Sequence, residues 1–385
     1  MSPSKNSAGY ESPKKDSVAL VTGSSGFVGS RLVEMLLERG TKIVVAFDIM
    51  KPNEVLEQRF KEVQAKTGGK IVVLSGADGD LTKDASVEHA FTINKINIVY
   101  HIGALVGPFH TPELYNEVNY KGTLRIIQNC QKYNVRKLVY SSSPSTRFTG
   151  SNVEGLSEDD MPIPHKFLAL YAETKAYGEQ AVTKALTDVA DTDKNQFLTI
   201  AVAPHQVYGP HDNLFLPKIL ETAGTGRLRI FGKGLNKISV CYVDNYCHGL
   251  MCGADALYHK SPALGKYYVI TDSNTPVYFW KFINQAIVEM EFVDLYKKFH
   301  LPIWLLSIVA YICAFMTMIS GKQFKLNPFN LRMLTIHRYF NINNAMKDLR
   351  YTPLLSNEDA WKHTIEWFKI NWLPKWKKQG TSKLT

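Results

Sequence analysis

Val18-Ala-Leu-Val21 runs directly into Thr22-Gly-Ser-Ser-Gly-Phe-Val-Gly29, and nothing else in the chain narrows its fold so far. An apolar run that ends in regularly spaced glycines predicts a strand, a tight turn and the first turn of a helix. Gly23, Gly26 and Gly29 let the backbone fold back sharply, so that a helix N-terminus can face a pyrophosphate at close range. Glycines spaced this way are more often a plain turn; the strand before and the helix after give them weight. Helical periodicity from Arg31 to Arg39 closes at Gly40, and a β-rich run from Lys42 to Phe47 ends in Asp48. Strand, phosphate turn, helix and strand are the opening of a dinucleotide-binding unit. A carboxylate at Asp48 accepts hydrogen bonds from adenosine ribose hydroxyls and repels a 2′-phosphate, which favours NAD without excluding NADP.

The alternation continues. Ile71–Leu74, Ile96–His101, Lys137–Ser141 and Phe197–Val202 read as further strands, with helices at Asn116–Tyr133 and over 166–188. This predicts an α/β fold with a parallel, doubly wound sheet over residues 17–205. From 206 to 373, short segments rich in Pro, Gly and aromatics predict a smaller substrate lobe interleaved with returning sheet elements. Residues 1–16, rich in Ser, Pro and Lys, read as a disordered lead-in, and 374–385 as a basic tail. A net charge of +10 suits an anionic surface. The lysines are scattered and no basic helix carries interleaved aromatics, so a membrane is the expected partner and nucleic acid is not. Five irregularly spaced cysteines predict reduced thiols and no metal site, and no apolar secretory stretch stands at the N-terminus.

Chemistry enters with Tyr171-Ala-Glu-Thr-Lys175. On a helix these two side chains lie one above the other on one face. An ammonium beside a phenol is expected to lower the phenol's pKa from about 10, giving a base near neutrality. The spacing alone is weak; downstream of a nucleotide fingerprint it predicts a proton acceptor for an alcohol whose hydride passes to nicotinamide. Ser143 is the candidate hydroxyl for the substrate oxygen, with Ser142 left open by the run of serines. Tyr177 is a decoy, because position 181 is alanine.

Residues 299–321 contain no Asp, Glu, Lys or Arg, and Lys297, Lys298, Lys322 and Lys325 flank them. Such a segment is long enough to reach across a bilayer, and a buried core helix is the other reading. A single crossing would separate 326–373, which reads like the last piece of the catalytic unit, from the nucleotide domain. A segment lying on or dipping into one leaflet is therefore expected.

Several motifs resemble the extended short-chain dehydrogenase/reductases. Thr22–Gly29, with Ser25, Phe27 and Val28 between the glycines, looks like that family's fingerprint. Asp80-Leu81 resembles its adenine-edge contact, and His101-Ile-Gly103-Ala104 its strand-four nucleotide lining. Asn119-Tyr-Lys-Gly-Thr123 is similar to its active-site helix, Tyr140-Ser-Ser-Ser143 to its serine cluster, and Pro204-His-Gln-Val207-Tyr-Gly-Pro210 to its segment beside nicotinamide. The resemblance implies cofactor contacts at these positions and at Lys175. Ala203 departs from the usual arginine, which weakens a nucleotide-sugar reading. Leu301-Pro-Ile-Trp304, Phe329-Asn-Leu-Arg-Met-Leu334 and Tyr339-Phe-Asn-Ile342 resemble, in order, the C-terminal half of the 3β-hydroxysteroid dehydrogenase group.

Within that group Ser143–Gly150 and Ala203–Pro210 most resemble its decarboxylating sterol dehydrogenases. This implies NAD-dependent oxidation of the 3β-hydroxyl of a 4α-carboxysterol to a 3-keto acid that loses carbon dioxide, a step of sterol biosynthesis. It also implies an endoplasmic-reticulum membrane with the catalytic domain facing the cytosol, or lipid droplets, and a homodimer with sterol-demethylation enzymes as partners. Arg147 or His205 could pair with the substrate carboxylate, or each could be structural. A 3β-hydroxysteroid dehydrogenase/Δ5-Δ4 isomerase and a nucleotide-sugar epimerase stay open as alternatives, as does a non-catalytic NAD-binding protein.

Overall fold

Short runs of β-branched residues alternate with amphipathic helices, and each helix carries the chain back over a sheet to start the next parallel strand. A computed structural model describes residues 17–107, 110–186, 196–320 and 326–381. The strands are β1 (Val18–Thr22), β2 (Ile43–Asp48), β3 (Lys70–Ser75), β4 (Ile98–His101), β5 (Lys137–Ser141), β6 (Leu198–Pro204) and β7 (Tyr267–Ile270). They form one sheet in the order β7-β6-β5-β4-β1-β2-β3, parallel at every pairing. Because β1 sits beside both β2 and β4, the chain reverses direction across the sheet there. The crevice at the strands' carboxyl ends is where such folds place ligands.

Helices Phe27–Glu38, Glu54–Thr67 and Val243–Asp255 pack on one face, and Asp84–Thr92, Gly122–Lys132 and Leu170–Lys184 on the other. Buried on both sides, β1 and β6 are apolar almost throughout. Two expected helices differ at their starts. The one expected from 166 begins at Leu170, where Ala169 is its extended N-cap. The one expected from Asn116 opens as a π-helical stretch, Asn116–Lys121, before Gly122–Lys132 becomes regular. Such a bulge in a helix often marks a functional site.

The second lobe is stitched from distant pieces. Four short strands pair in the order Val277–Tyr278, Lys237–Ile238, Arg338–Phe340, Val153–Leu156. Its apolar interior is continuous with that of the main sheet, and Phe282 and Trp361 stack at 3.7 Å between helices Phe279–Glu289 and Asn357–Asn371. The expected lead-in 1–16 lies outside the described residues; of the expected basic tail, helix Leu373–Thr381 is described and 382–385 lie outside.

Helix Ile303–Ser320 stands apart. Of its 18 residues only Leu306 and Ala310 are buried, against Leu331 of helix Pro328–Met333. Trp304 is 67% exposed and Met318 75%, so the buried-core reading of this segment fails. Its entry is pinned to the body, where Leu301 N donates to Ile230 O at 2.9 Å and Gly232 N to Leu301 O at 2.8 Å. After the helix the chain returns to the same body, where Arg338–Phe340 is a strand of the second lobe.

Candidate active site

The glycine turn closes on itself as its spacing requires. Gly23 adopts φ +73°, and a Cβ there would lie 2.8 Å from Gly103 Cα at the end of β4. A Cβ on Gly29 would lie 2.0 Å from Gly23 O, so helix Phe27–Glu38 packs on the turn only without a side chain. Gly26 is the N-cap and contributes no side-chain cap, which leaves first-turn N–H groups for an outside acceptor. Asp48, at the end of β2, accepts from Ser25 N at 2.9 Å and Met50 N at 2.8 Å, while burial raises its pKa against these bonds. Phe27 and Val28 pack against the core from the first turn of that helix. These features fit the pyrophosphate and ribose of a dinucleotide.

The floor beside the turn is built from β4 and its neighbours. Thr22 Oγ1 accepts from Ile102 N and Gly103 N, so its own proton goes to His101 Nδ1 at 2.7 Å. His101 Nε2 then donates to Thr123 Oγ1 at 3.0 Å, and Thr123 donates to Asn119 O at 2.7 Å. Burial, helped by the Lys175 charge, pushes His101 down to about 3, so the ring is neutral. Asn119, on the π-helical stretch, accepts from Leu105 N at 2.8 Å and donates to Leu105 O, holding the loop that carries Gly103 and Ala104. Asp80 closes a turn on Thr82, and the Leu81 side chain lies against Gly103. Pro204 ends β6, and Val207 begins the short strand Val207–Tyr208.

Tyr171 and Lys175 both run from helix Leu170–Lys184 to the carboxyl end of β5. Lys175 Nζ donates to Ser141 O at 2.5 Å while lying 4.1 Å over the Tyr140 ring, and the Ser143 hydroxyl is near enough to the Tyr171 phenol to hold its pKa down. The expected lowering of the tyrosine pKa is absent. Burial raises it, the Ser143 bond opposes that rise, and Lys175 is not among the influences on it. The physical reason is that the ammonium is spent on a backbone carbonyl and a ring, and burial pulls Lys175 itself down to about 7 against the attraction of Glu179.

Of the two serines, Ser143 faces Tyr171 and Ser145, while Ser142 Oγ donates to Glu179 Oε2 at 2.5 Å. Tyr177 points outward and bonds Glu173. Glu179 was not expected, although it lies on the helix face of Tyr171 and Lys175 at helical spacing, which is signal enough to find it. It also holds Arg147 through Nη1–Oε2 at 2.9 Å and Nη2–Oε1 at 2.5 Å, with the guanidinium 3.4 Å from the Tyr267 ring. His205 is buried and neutral, pushed to about 3, with Nδ1 donating to Ser239 O at 2.6 Å and its ring edge-on to Phe340. Arg147 and His205 are therefore structural, and neither is available to a substrate carboxylate.

Known proteins share this framework. The profile of the 3-beta hydroxysteroid dehydrogenase/isomerase family matches residues 20–303. The chain is 30% identical over 354 residues to the sterol-4-alpha-carboxylate 3-dehydrogenase, decarboxylating, of Homo sapiens, spanning 91% of this chain and 87% of that one. It is 30% identical over 344 residues to the 2-alkyl-3-oxoalkanoate reductase of Stenotrophomonas maltophilia, spanning 89% and 96%. In three dimensions it resembles the epimerase Mth375 of Methanothermobacter thermautotrophicus at TM-score 0.68 and 20% identity, spanning 94% and 95%.

Proposed function

The chain belongs to the 3-beta hydroxysteroid dehydrogenase/isomerase family, and from that premise we propose that it oxidises the 3β-hydroxyl of a 4α-carboxysterol to the 3-keto acid, which then decarboxylates in sterol biosynthesis. The observation that carries the reading is the gathering of Ser143, Tyr171 and Lys175 at the carboxyl end of β5, where Lys175 Nζ donates to Ser141 O and Ser143 holds down the Tyr171 phenol's pKa. Two similar proteins are named for substrates in which an oxygen-bearing carbon neighbours a carboxyl-bearing one, the 4-carboxylate 3-dehydrogenase and the 3-oxoalkanoate reductase. That shared pattern favours a β-hydroxy acid over a plain steroid alcohol.

In this reading Ser143 holds the substrate oxygen and Tyr171 takes its proton. Lys175, at the same strand end, is held on Ser141 O and serves the cofactor cradle rather than the phenol. The glycine turn, Asp48, Leu81, His101, Gly103, Ala104, Asn119, Lys175, Pro204 and Val207 form the cradle for a nicotinamide dinucleotide, with Asp48 favouring NAD. The dinucleotide supplies the hydride acceptor. Once the 3-ketone exists, the electron pair of the C4–carboxyl bond passes into an enolate, carbon dioxide leaves, and C4 takes a proton from water; no metal is required.

We further infer seating in one leaflet of the endoplasmic-reticulum membrane with the catalytic body in the cytosol; the exposed apolar helix Ile303–Ser320 and a lipophilic substrate support the membrane contact. A homodimer fits the open groove where Leu124, Ile127 and Tyr177 lie between two surface helices. The test is cofactor reduction by the purified chain with 4α-carboxysterol, a plain 3β-hydroxysteroid and a sugar nucleotide. Carbon dioxide release with the first supports the proposal; a conjugated enone from the second assigns the isomerase alternative. Tyr171→Phe is expected to lower turnover at least 100-fold while NAD still binds, on the order expected for loss of general-base catalysis.

A further inference from the structure

A carboxylated substrate calls for a cation near the reacting carbon, and Arg147 and His205 are both committed elsewhere. Arg338 is not. It lies on strand Arg338–Phe340, which the fold inserts between Val153–Leu156, downstream of the Ser143 loop, and Lys237–Ile238. One guanidinium nitrogen, Nη2, donates to Met333 O at 2.9 Å, and Nε is buried without an acceptor. Among the described residues no carboxylate pairs with it, and burial alone pulls it down to about 10. The residue as a whole is half-buried.

Its surroundings belong to the site. Phe340, two residues on and on the same strand face, packs edge-on to His205 at 5.0 Å. Ser239 joins the two residues, donating its N–H to Arg338 O at 2.9 Å and accepting from His205 Nδ1 at 2.6 Å, and the Arg338 charge also depresses His205. His205 directly follows Pro204 at the end of β6, in the segment given to the nicotinamide end of the cofactor. Arg332, on the same returning segment, lies against Gly150 in the loop after Ser143, as does Leu168, three residues before Tyr171.

A buried guanidinium without a counter-ion carries a desolvation cost that the fold does not recover. Arginine's planar fork matches a carboxylate with two parallel bonds. We propose that Arg338 binds the carboxylate of the substrate, anchoring the carboxyl-bearing carbon beside Tyr171 and selecting acids over neutral sterols. The proposal rests on the reading of the chain as a dehydrogenase of a β-hydroxy acid. It has a consequence for turnover: loss of carbon dioxide removes Arg338's partner, so the neutral ketone is held less tightly than the acid and leaves.

The test compares wild type, Arg338→Met and Arg338→Lys, each saturated with NAD, for binding and turnover of 4α-carboxysterol and of its neutral methyl ester. Wild type is expected to bind the acid roughly 10- to 100-fold more tightly than the ester, the range of charge-assisted hydrogen bonds. Arg338→Met levels the two affinities and leaves the ester's unchanged; Arg338→Lys keeps part of the preference. Without ligand, Arg338→Met melts no lower than wild type, because a lone buried charge has been removed. Equal loss of acid and ester, a lowered melting temperature with the preference intact, or no preference in wild type would each overturn the assignment. Should wild type oxidise neither sterol, the proposed reaction falls, while the acid-versus-ester binding still decides the role of Arg338.

Discussion

His101 and His205 are fully enclosed and held near pKa about 3, against about 6.5 for a free imidazole. The folded chain leaves both rings neutral over a range where the unfolded chain protonates them. Their contribution to stability is therefore complete above about pH 6.5 and is lost as pH falls toward 3, by about 1.4 kcal/mol per pH unit for each ring. Urea unfolding at pH 7 and pH 4.5 is expected to show a shallower acid loss in His101→Gln than in the parent; equal slopes would dispose of this account. Residue identities at the site were legible where chemistry sits in short spacings, as in Gly23–Gly29 and Tyr171–Lys175. What those side chains do with each other was not. The Lys175 ammonium turned to Ser141, and Arg147 closed on Glu179, because burial made each charge seek the nearest fixed acceptor. Arg338 carried no local signal at all, since its isolation is a property of three strands drawn from distant parts of the chain.

At the scale of elements, the six strands of the main sheet before residue 205 and the helices from the glycine turn and around Tyr171 were legible, because each is a local periodic run. The four-stranded sheet of the second lobe was not. Its strands run to only two to four residues, and their pairing joins segments as far apart as Val153 and Arg338. Helix Ile303–Ser320 is the element whose sequence and exposure agree most plainly. Its outward residues gain roughly 1.5–3 kcal/mol each when a large apolar side chain leaves water. Trp304→Glu with Met318→Lys is expected to move the chain from the vesicle pellet to the supernatant, with at least a tenfold drop in lipid partitioning and an unchanged melting temperature in detergent. Persistent pelleting would show that another surface makes the contact.

For the whole molecule, the decisive geometry is that both flanks of this helix are tied to one body, through Leu301 on entry and strand Arg338–Phe340 on return. A helix of 18 residues is about 27 Å long, enough to reach across a bilayer core were its ends free to part. They are not free. Single cysteines placed at exposed Lys297 and Glu358, in a chain whose own described cysteines are buried or half-buried, are expected to react with an impermeant maleimide from the same side of sealed vesicles. Protection of one and labelling of the other would establish a crossing instead.

The projecting helix has a kinetic corollary. A catalyst moored in lipid meets a lipid-dissolved substrate by lateral diffusion in a sheet, and its saturation follows the substrate's mole fraction there. If the proposed seating holds, adding inert phospholipid at a fixed amount of sterol is expected to slow turnover, although every bulk concentration of sterol and protein stays the same.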